Sequence, residues 1–264
     1  MTAPGPDLRS ALSAFAAQPK VLVAVDFDGT LSPFVLDPMR ARALPGGVEA
    51  LRQAAALPGV SVAVVSGRDL ATLETITGIG PGDGITLIGS HGAQLNLNGH
   101  DDLDQDAAAR LIAVTSELEA IRARYPQVRL EHKASAVALH TRGVDSSIAT
   151  AATAAAREVA DRHPGVPIMP GKNVVELTVL EANKGTAVVR LARTTRSNAT
   201  LYAGDDVTDE RAFAALDPAS GDLTVKVGDG ETIATQRVAD QSAVVELLEL
   251  FVDLRHLQRH SARD

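Results

Sequence analysis

Asp26 and Asp28, in the run Asp26-Phe27-Asp28-Gly29-Thr30, stand directly behind the apolar residues Val21 to Val25. A short apolar run that ends in carboxylates reads as a buried parallel strand whose carboxyl end opens into a site. Ligands of open α/β sheets sit outside such ends. Two residues apart on extended backbone, the two carboxylates point to the same side. One can then attack as a nucleophile while its neighbour moves protons. Gly29 lets the chain turn tightly or approach a ligand closely. An Asp-x-Asp before Gly also occurs in calcium loops, but those need Gly at the sixth position and Glu at the twelfth. Here the two positions hold Leu31 and Asp37.

A second acidic group, Asp205, Asp206 and Asp209, follows the apolar run Thr200 to Ala203 within Gly204-Asp205-Asp206-Val207-Thr208-Asp209-Glu210. Carboxylates this close repel one another unless a cation sits among them. Lys184-Gly185 opens a helical pattern over Thr186 to Ala192, and a Lys at a helix start suits an anionic substrate. Asp26, Asp28, Asp205, Asp206 and Asp209 would surround one crevice, which a phosphate dianion enters only with countercharge. Mg²⁺ and the Lys184 ammonium would supply it. The chain has no cysteine, which disfavours zinc. The chemistry implied is Mg²⁺-dependent phosphoryl transfer through an aspartyl phosphate.

The elements that position these residues repeat one pattern: a strand, then Gly or a polar residue, then a helical stretch. Val60 to Val65 runs into Ser66-Gly67-Arg68, Thr86 to Ile88 into Gly89-Ser90-His91-Gly92, and Leu223 to Val227 into Gly228-Asp229-Gly230; Gly47 to Leu57 reads as a helix. This alternation predicts an α/β fold, a Rossmann-like, doubly wound parallel sheet. The middle departs from it. A long helix over Leu103 to Tyr125, strands over Val128 to Lys133 and Ala136 to Arg142, a helix over Ser146 to Arg162 and a strand over Val174 to Val179 suit a smaller α+β cap domain inserted into the core. The expected division is 1–98 with 182–264 for the core and 99–181 for the cap, with short linkers as a hinged lid needs. The apolar helix Ala243 to His256 is expected to dock on the core, with a subunit contact as the other use of its face.

Composition bounds the rest. The 264 residues are 45% hydrophobic and 22% charged with a net charge of −8, an ordinary globular balance that argues against a nucleic-acid partner. No run reaches membrane-span length, and Met1 to Pro6 lack the basic start of a signal peptide. The expected location is the cytoplasm.

Asp26 to Leu31, Ser66-Gly67-Arg68, Lys184-Gly185 and Gly204-Asp205-Asp206 resemble, in order, the four motifs of the haloacid dehalogenase superfamily of phosphohydrolases. The resemblance implies Asp26 as nucleophile, Asp28 as general acid/base, Ser66 holding the phosphoryl group and Lys184 stabilising it. It also implies Mg²⁺ on Asp26, Asp205 and the Asp28 carbonyl, with Asp206 or Asp209 in support. Finer features are similar to trehalose-6-phosphate phosphatases: Asp28 to Pro33, Val65 to Arg68, Gly89 to Gly92, Glu131-His132-Lys133, Gly171-Lys172 followed by Glu176, and Gly204 to Glu210. That likeness implies a sugar-phosphate substrate gripped by Glu131, Lys133, Arg142, Lys172 and Glu176, with His91 also at the substrate. Arg68 either contacts substrate, the reading we favour, or holds its loop through a carboxylate. With no Trp and two Tyr, sugar recognition has to be mostly polar. Another sugar phosphate as substrate, a non-catalytic sugar-phosphate sensor and a complex with a trehalose-phosphate synthase stay open on sequence alone.

Overall fold

The structure is a computed structural model that describes residues 6–35, 37–92, 94–95, 103, 105–133, 135–171, 173–179 and 183–261. The chain divides into two compact units, 1–97 with 182–264 and 98–181. The first begins with α1 (Pro6–Ala16), β1 (Val21–Asp26), α2 (Gly47–Ala55), β2 (Val60–Val65), α3 (Leu70–Thr77), β3 (Ile85–Gly89) and β4 (Gln94–Leu95). The second contains α4 (Gln105–Arg124), β5 (Arg129–His132), β6 (Ala136–His140), α5 (Ser146–Arg162), β7 (Ile168–Gly171) and β8 (Val174–Thr178). The chain then returns to the first unit with α6 (Lys184–Thr195), β9 (Ala199–Gly204), α7 (Val207–Ala215), β10 (Leu223–Val227), β11 (Gln236–Val238) and α8 (Gln241–Ser261).

The first unit is built on a seven-stranded sheet in the order β11-β10-β9-β1-β2-β3-β4. Every neighbouring pair is parallel except β3 with β4. From β1 the chain steps outward through β2 and β3, then returns to the other side of β1 through β9 and β10. The carboxyl ends of β1 and β9 thus flank the point where strand order reverses, the place where open sheets bind ligands. Register aligns those ends, Asp26 lying opposite Val65 and Val25 opposite Ala203.

All six residues of β1 are buried, because helices cover both faces of the sheet. Val21, Val23 and Val25 face a core that includes Leu12 and Phe15 of α1, Leu51 of α2 and Leu247, Leu248 and Phe251 of α8. Leu22 and Ala24 face the opposite layer, with Ala187, Val188 and Leu191 of α6 and Ala212 and Phe213 of α7. Burial on both faces is why the strand reads as an unbroken apolar run. The apolar face of α8 docks on the core, as expected.

The second unit is a four-stranded sheet, β5-β6-β8-β7, antiparallel throughout. Val114 and Leu118 of α4 and Ala152, Ala156 and Val159 of α5 pack with Val137, Leu139, Val175 and Leu177 of the strands. The strand expected over Ala136 to Arg142 ends at His140, where the turn at Thr141 to Val144 begins. The pattern does not anticipate β7. It contains Pro170, which a sheet edge tolerates, and β7 is an edge strand. No described helix is long and apolar enough to cross a membrane.

Candidate active site

The parity of β1 sends Asp26, like Leu22 and Ala24, toward the layer of α6 and α7. There it meets Lys184, the first residue of α6, whose Nζ donates to Asp26 Oδ1 at 2.7 Å. Asn183 caps α6, accepting the Thr186 N–H through its side chain at 3.0 Å. This fixes where the helix starts and therefore where the lysine emerges. Lys184 Nζ also donates to Asp209 Oδ1 at 2.8 Å, and both carboxylates and the ammonium are buried. Asp209 sits in the first turn of α7. Its Oδ1 also accepts the Tyr202 hydroxyl at 2.7 Å, and its Oδ2 accepts the backbone N–H groups of Asp205 and Asp206 at 3.0 and 2.9 Å.

Asp205 faces the same crevice, its Oδ1 accepting the Thr30 hydroxyl at 3.2 Å. Gly29 makes this closeness feasible. With φ at +85°, it occupies the left-handed region, and a Cβ there would lie 2.1 Å from Asp205 Oδ2. Asp206 stands apart: it is exposed and caps α7, accepting the Val207 N–H at 2.7 Å. The helix start thus separates the two aspartates between which the sequence does not choose.

Asp28 points elsewhere. Arg68 Nε and Nη2 fork onto its two oxygens at 2.6 and 2.7 Å, while Nη1 donates to the Pro38 carbonyl at 2.8 Å. Of the two roles expected for Arg68, the geometry is that of a carboxylate clamp, which fits the planar guanidinium. Ser66 is buried one residue beyond β2, and its Oγ accepts the Arg68 N–H at 3.2 Å. The Ser66 carbonyl accepts the His91 N–H at 3.0 Å, and the Arg68 carbonyl accepts the Ser90 N–H at 2.7 Å. His91 lies against Gly67, where a Cβ would come within 2.5 Å of the imidazole. Burial lowers the pKa of His91, with the Lys184 charge in the same direction, so the ring is neutral at pH 7.

Electrostatics tests what this crevice can hold. Burial raises Asp26 well above the usual carboxylate range; Lys184 opposes the rise and Asp209 adds to it. Burial and then the Asp209 charge raise Asp205. For Lys184, burial works downward, but Asp26 and Asp209 outweigh it and the net direction is up, keeping the ammonium charged. One ammonium therefore leaves the buried carboxylates under-compensated. Carboxylate oxygens of Asp26, Asp205 and Asp209 all lie within 4.8 Å of one another. An all-oxygen, negatively charged group of this size suits a hard cation.

In the second unit, the sheet face opposite α4 and α5 carries Glu131 and Glu176, both in register with Ala138. Lys133 Nζ donates to Glu176 at 2.5 Å, and His140 Nε2 lies 2.9 Å from Glu131. Hydrogen bonding from His140, then the Lys133 charge, lowers the Glu131 pKa. Glu131, Lys133 and Glu176 are thus brought onto one sheet face, whereas Arg142 is exposed in the turn after β6. Lys172 lies outside the described residues.

Tyr202, Lys226 and His140 are absent from the expected set. Lys226 is buried in β10 and its Nζ donates to the Asp205 carbonyl. A lone charge within the apolar run Leu223 to Val227 is the signal that marks it.

A family model described as trehalose-phosphatase matches residues 24–244. A trehalose-phosphate phosphatase of Mycobacterium tuberculosis is 36% identical over 230 residues, covering 83% of this chain and 57% of the relative. One of Mycobacterium avium is 39% identical over 205 residues, covering 74% and 51%. The chain thus spans about half the length of these curated relatives. The solved structure of Aspergillus fumigatus trehalose-6-phosphate phosphatase matches with a TM-score of 0.60 and 27% identity, over 96% of this chain and 99% of that one. With its motifs inside the matched span, the chain belongs to the trehalose-phosphatase family.

Proposed function

We propose that this chain is a Mg²⁺-dependent phosphatase that hydrolyses trehalose 6-phosphate to trehalose and phosphate through an aspartyl phosphate. The observation that carries the reading is the buried Asp26 at the switch point of the sheet, with the Lys184 ammonium 2.7 Å from it. An Asp26 oxygen bonds to phosphorus as the bond from phosphorus to the sugar oxygen breaks, and Asp28 gives the departing alkoxide its proton. Asp28 then takes a proton from the water that attacks phosphorus, and the bond from phosphorus to Asp26 breaks. Lys184 neutralises charge on the transferring group, and the Ser66 hydroxyl hydrogen-bonds to it. Asp26, Asp205 and the Asp28 carbonyl would hold the Mg²⁺, which when bound supplies further charge neutralisation at the phosphoryl oxygens.

The second unit supports the sugar assignment. Glu131, Glu176, Lys133 and His140 offer acceptors and donors in the mixture that sugar hydroxyls need. The test is phosphate release from a panel of sugar phosphates with and without Mg²⁺. Strong, Mg²⁺-dependent preference for trehalose 6-phosphate is expected, and Asp26→Asn removes turnover while the fold persists. Equal rates on simple hexose phosphates would keep the core chemistry and discard the substrate; no release at all would favour a sugar-phosphate sensor. Size-exclusion with a trehalose-phosphate synthase tests for a complex.

A further inference from the structure

Gly29 is the pivot of the loop that carries Asp28. A side chain here would collide with Asp205, and φ is +85°, so the position requires glycine. Glycine is also the residue whose own structure restrains the backbone least. The aim of Asp28 on one side and of Thr30 on the other therefore depends on what holds the two flanking peptides. The Gly29 N–H donates to the Ser32 carbonyl at 2.7 Å. In a planar trans peptide this turns the Asp28 carbonyl away from Ser32. Gly29 is buried, and a buried carbonyl needs a donor. Its carbonyl accepts Gln241 Nε2 at 2.7 Å, from 212 residues away in sequence.

Gln241 is the first residue of α8. Asp240 fixes that start, accepting the Ala243 N–H through its side chain at 3.0 Å and the Val244 N–H through its carbonyl at 3.2 Å. Val244, Leu247, Leu248 and Phe251 then anchor the helix in the core. We infer that Gln241 is a positioning residue, a latch from α8 that locks the Gly29 pivot and so holds Asp28 and Thr30 at the angles the reaction needs. It restrains the second peptide of Gly29 as Ser32 restrains the first. The Thr30 hydroxyl, which follows that second peptide, donates in turn to Asp205 at 3.2 Å. Without the amide the Gly29 carbonyl is a buried acceptor with no donor, and the loop shifts to relieve it.

The inference rests on the phosphatase reading for its kinetic arm, while its exchange arm needs no turnover. Gln241→Met keeps the length of the side chain and donates nothing; Gln241→Lys restores a donor. Arg255→Met is the control, loosening α8 elsewhere, where Arg255 Nη1 donates to the Ala16 and Gln18 carbonyls at 2.8 and 2.7 Å. Gln241→Met is expected to lower kcat on trehalose 6-phosphate about tenfold at unchanged KM, since a full 1 Å misplacement costs about a hundredfold. Gln241→Lys should recover most of that loss. Arg255→Met should melt earlier and keep the wild-type kcat. Amide hydrogen exchange over residues 27–32, read by mass spectrometry, should quicken about tenfold in Gln241→Met and stay unchanged in Arg255→Met. Wild-type kcat or wild-type exchange in Gln241→Met would overturn the inference, as would an equal fall of kcat in Arg255→Met. A lysine variant no better than the methionine one would make shape rather than the donor the cause, and also overturn it. If Gln241→Met does not fold, Gln241→Asn, whose amide stops a methylene short, takes its place. A wild-type chain that releases no phosphate would sink the phosphatase reading and leave the exchange comparison to decide the latch.

Discussion

Arg68 presents a planar fork to Asp28 at 2.6 and 2.7 Å, and the consequence for proton transfer is specific. The fork holds both Asp28 oxygens, the atoms through which it would take a proton from water and give one to the leaving group. As the acid for the leaving sugar, Asp28 has to hold a proton, and an arriving phosphate competes for the same fork. Lys cannot reproduce two parallel contacts, so Arg68→Lys is expected to recover little of the function lost in Arg68→Ala. Both variants should lower kcat by about a hundredfold, the cost of a roughly 1 Å misplacement of a reacting group. Rapid-quench measurement of phosphoenzyme formation and decay checks this, and a wild-type decay rate in Arg68→Lys would remove the clamp from the mechanism. Asp26, Asp205 and Lys184 are legible in the sequence because each follows or opens an element marked by an apolar run or a helical pattern. Tyr202 is not, because a phenol inside an apolar strand looks like core until register shows which way it faces.

At the scale of elements, β10 carries a charge that the sheet buries. A buried ion carries a desolvation cost that an apolar residue of similar size does not. Lys226→Met is therefore expected to leave the melting temperature unchanged or higher. The Asp205 carbonyl, however, loses its donor, so the Mg²⁺ concentration for half-maximal activity should rise; a fallen melting temperature with unchanged Mg²⁺ dependence would make Lys226 purely structural. In the second unit, Glu117 of α4 joins Arg162 and His163 at the end of α5 at 2.5 Å each. Hydrogen bonds from Arg162 and then His163 hold its pKa below the ordinary 4.5. A depressed carboxylate stabilises the fold above its unfolded pKa, and this stability is lost as pH falls through the folded value. Urea midpoints should thus drop on acidification below 4.5, and more steeply in the wild type than in Glu117→Gln; parallel profiles would exclude the contribution. The strands legible in advance are the long apolar ones. The three-residue β11 is too short for a pattern, β7 is masked by its proline, and the His140–Glu131 contact is diagonal across two strands and needs register to be seen.

For the whole molecule, the two units differ in the chemistry of their polar groups. The first has buried carboxylates, an ammonium and a reversed strand order; the second has a sheet face of paired ions around Ala138. The sandwiching of β1 between two helical layers, with odd residues facing α1, α2 and α8 and even residues facing α6 and α7, makes the aim of Asp26 a matter of counting. Lengthening β1 by one residue keeps it apolar and pairable, yet turns its terminal carboxylate to the layer without Lys184. Lengthening it by two restores the side but carries the carboxylate about 7 Å along the strand axis. Both insertions should abolish turnover for different reasons, and only the two-residue one should keep the carboxylate out of the layer of α1, α2 and α8. Comparing their unfolding temperatures checks this, with the one-residue variant the less stable because it buries an unpaired carboxylate there. Connecting loops can grow in such a fold, but the strand that carries Asp26 has no freedom of length.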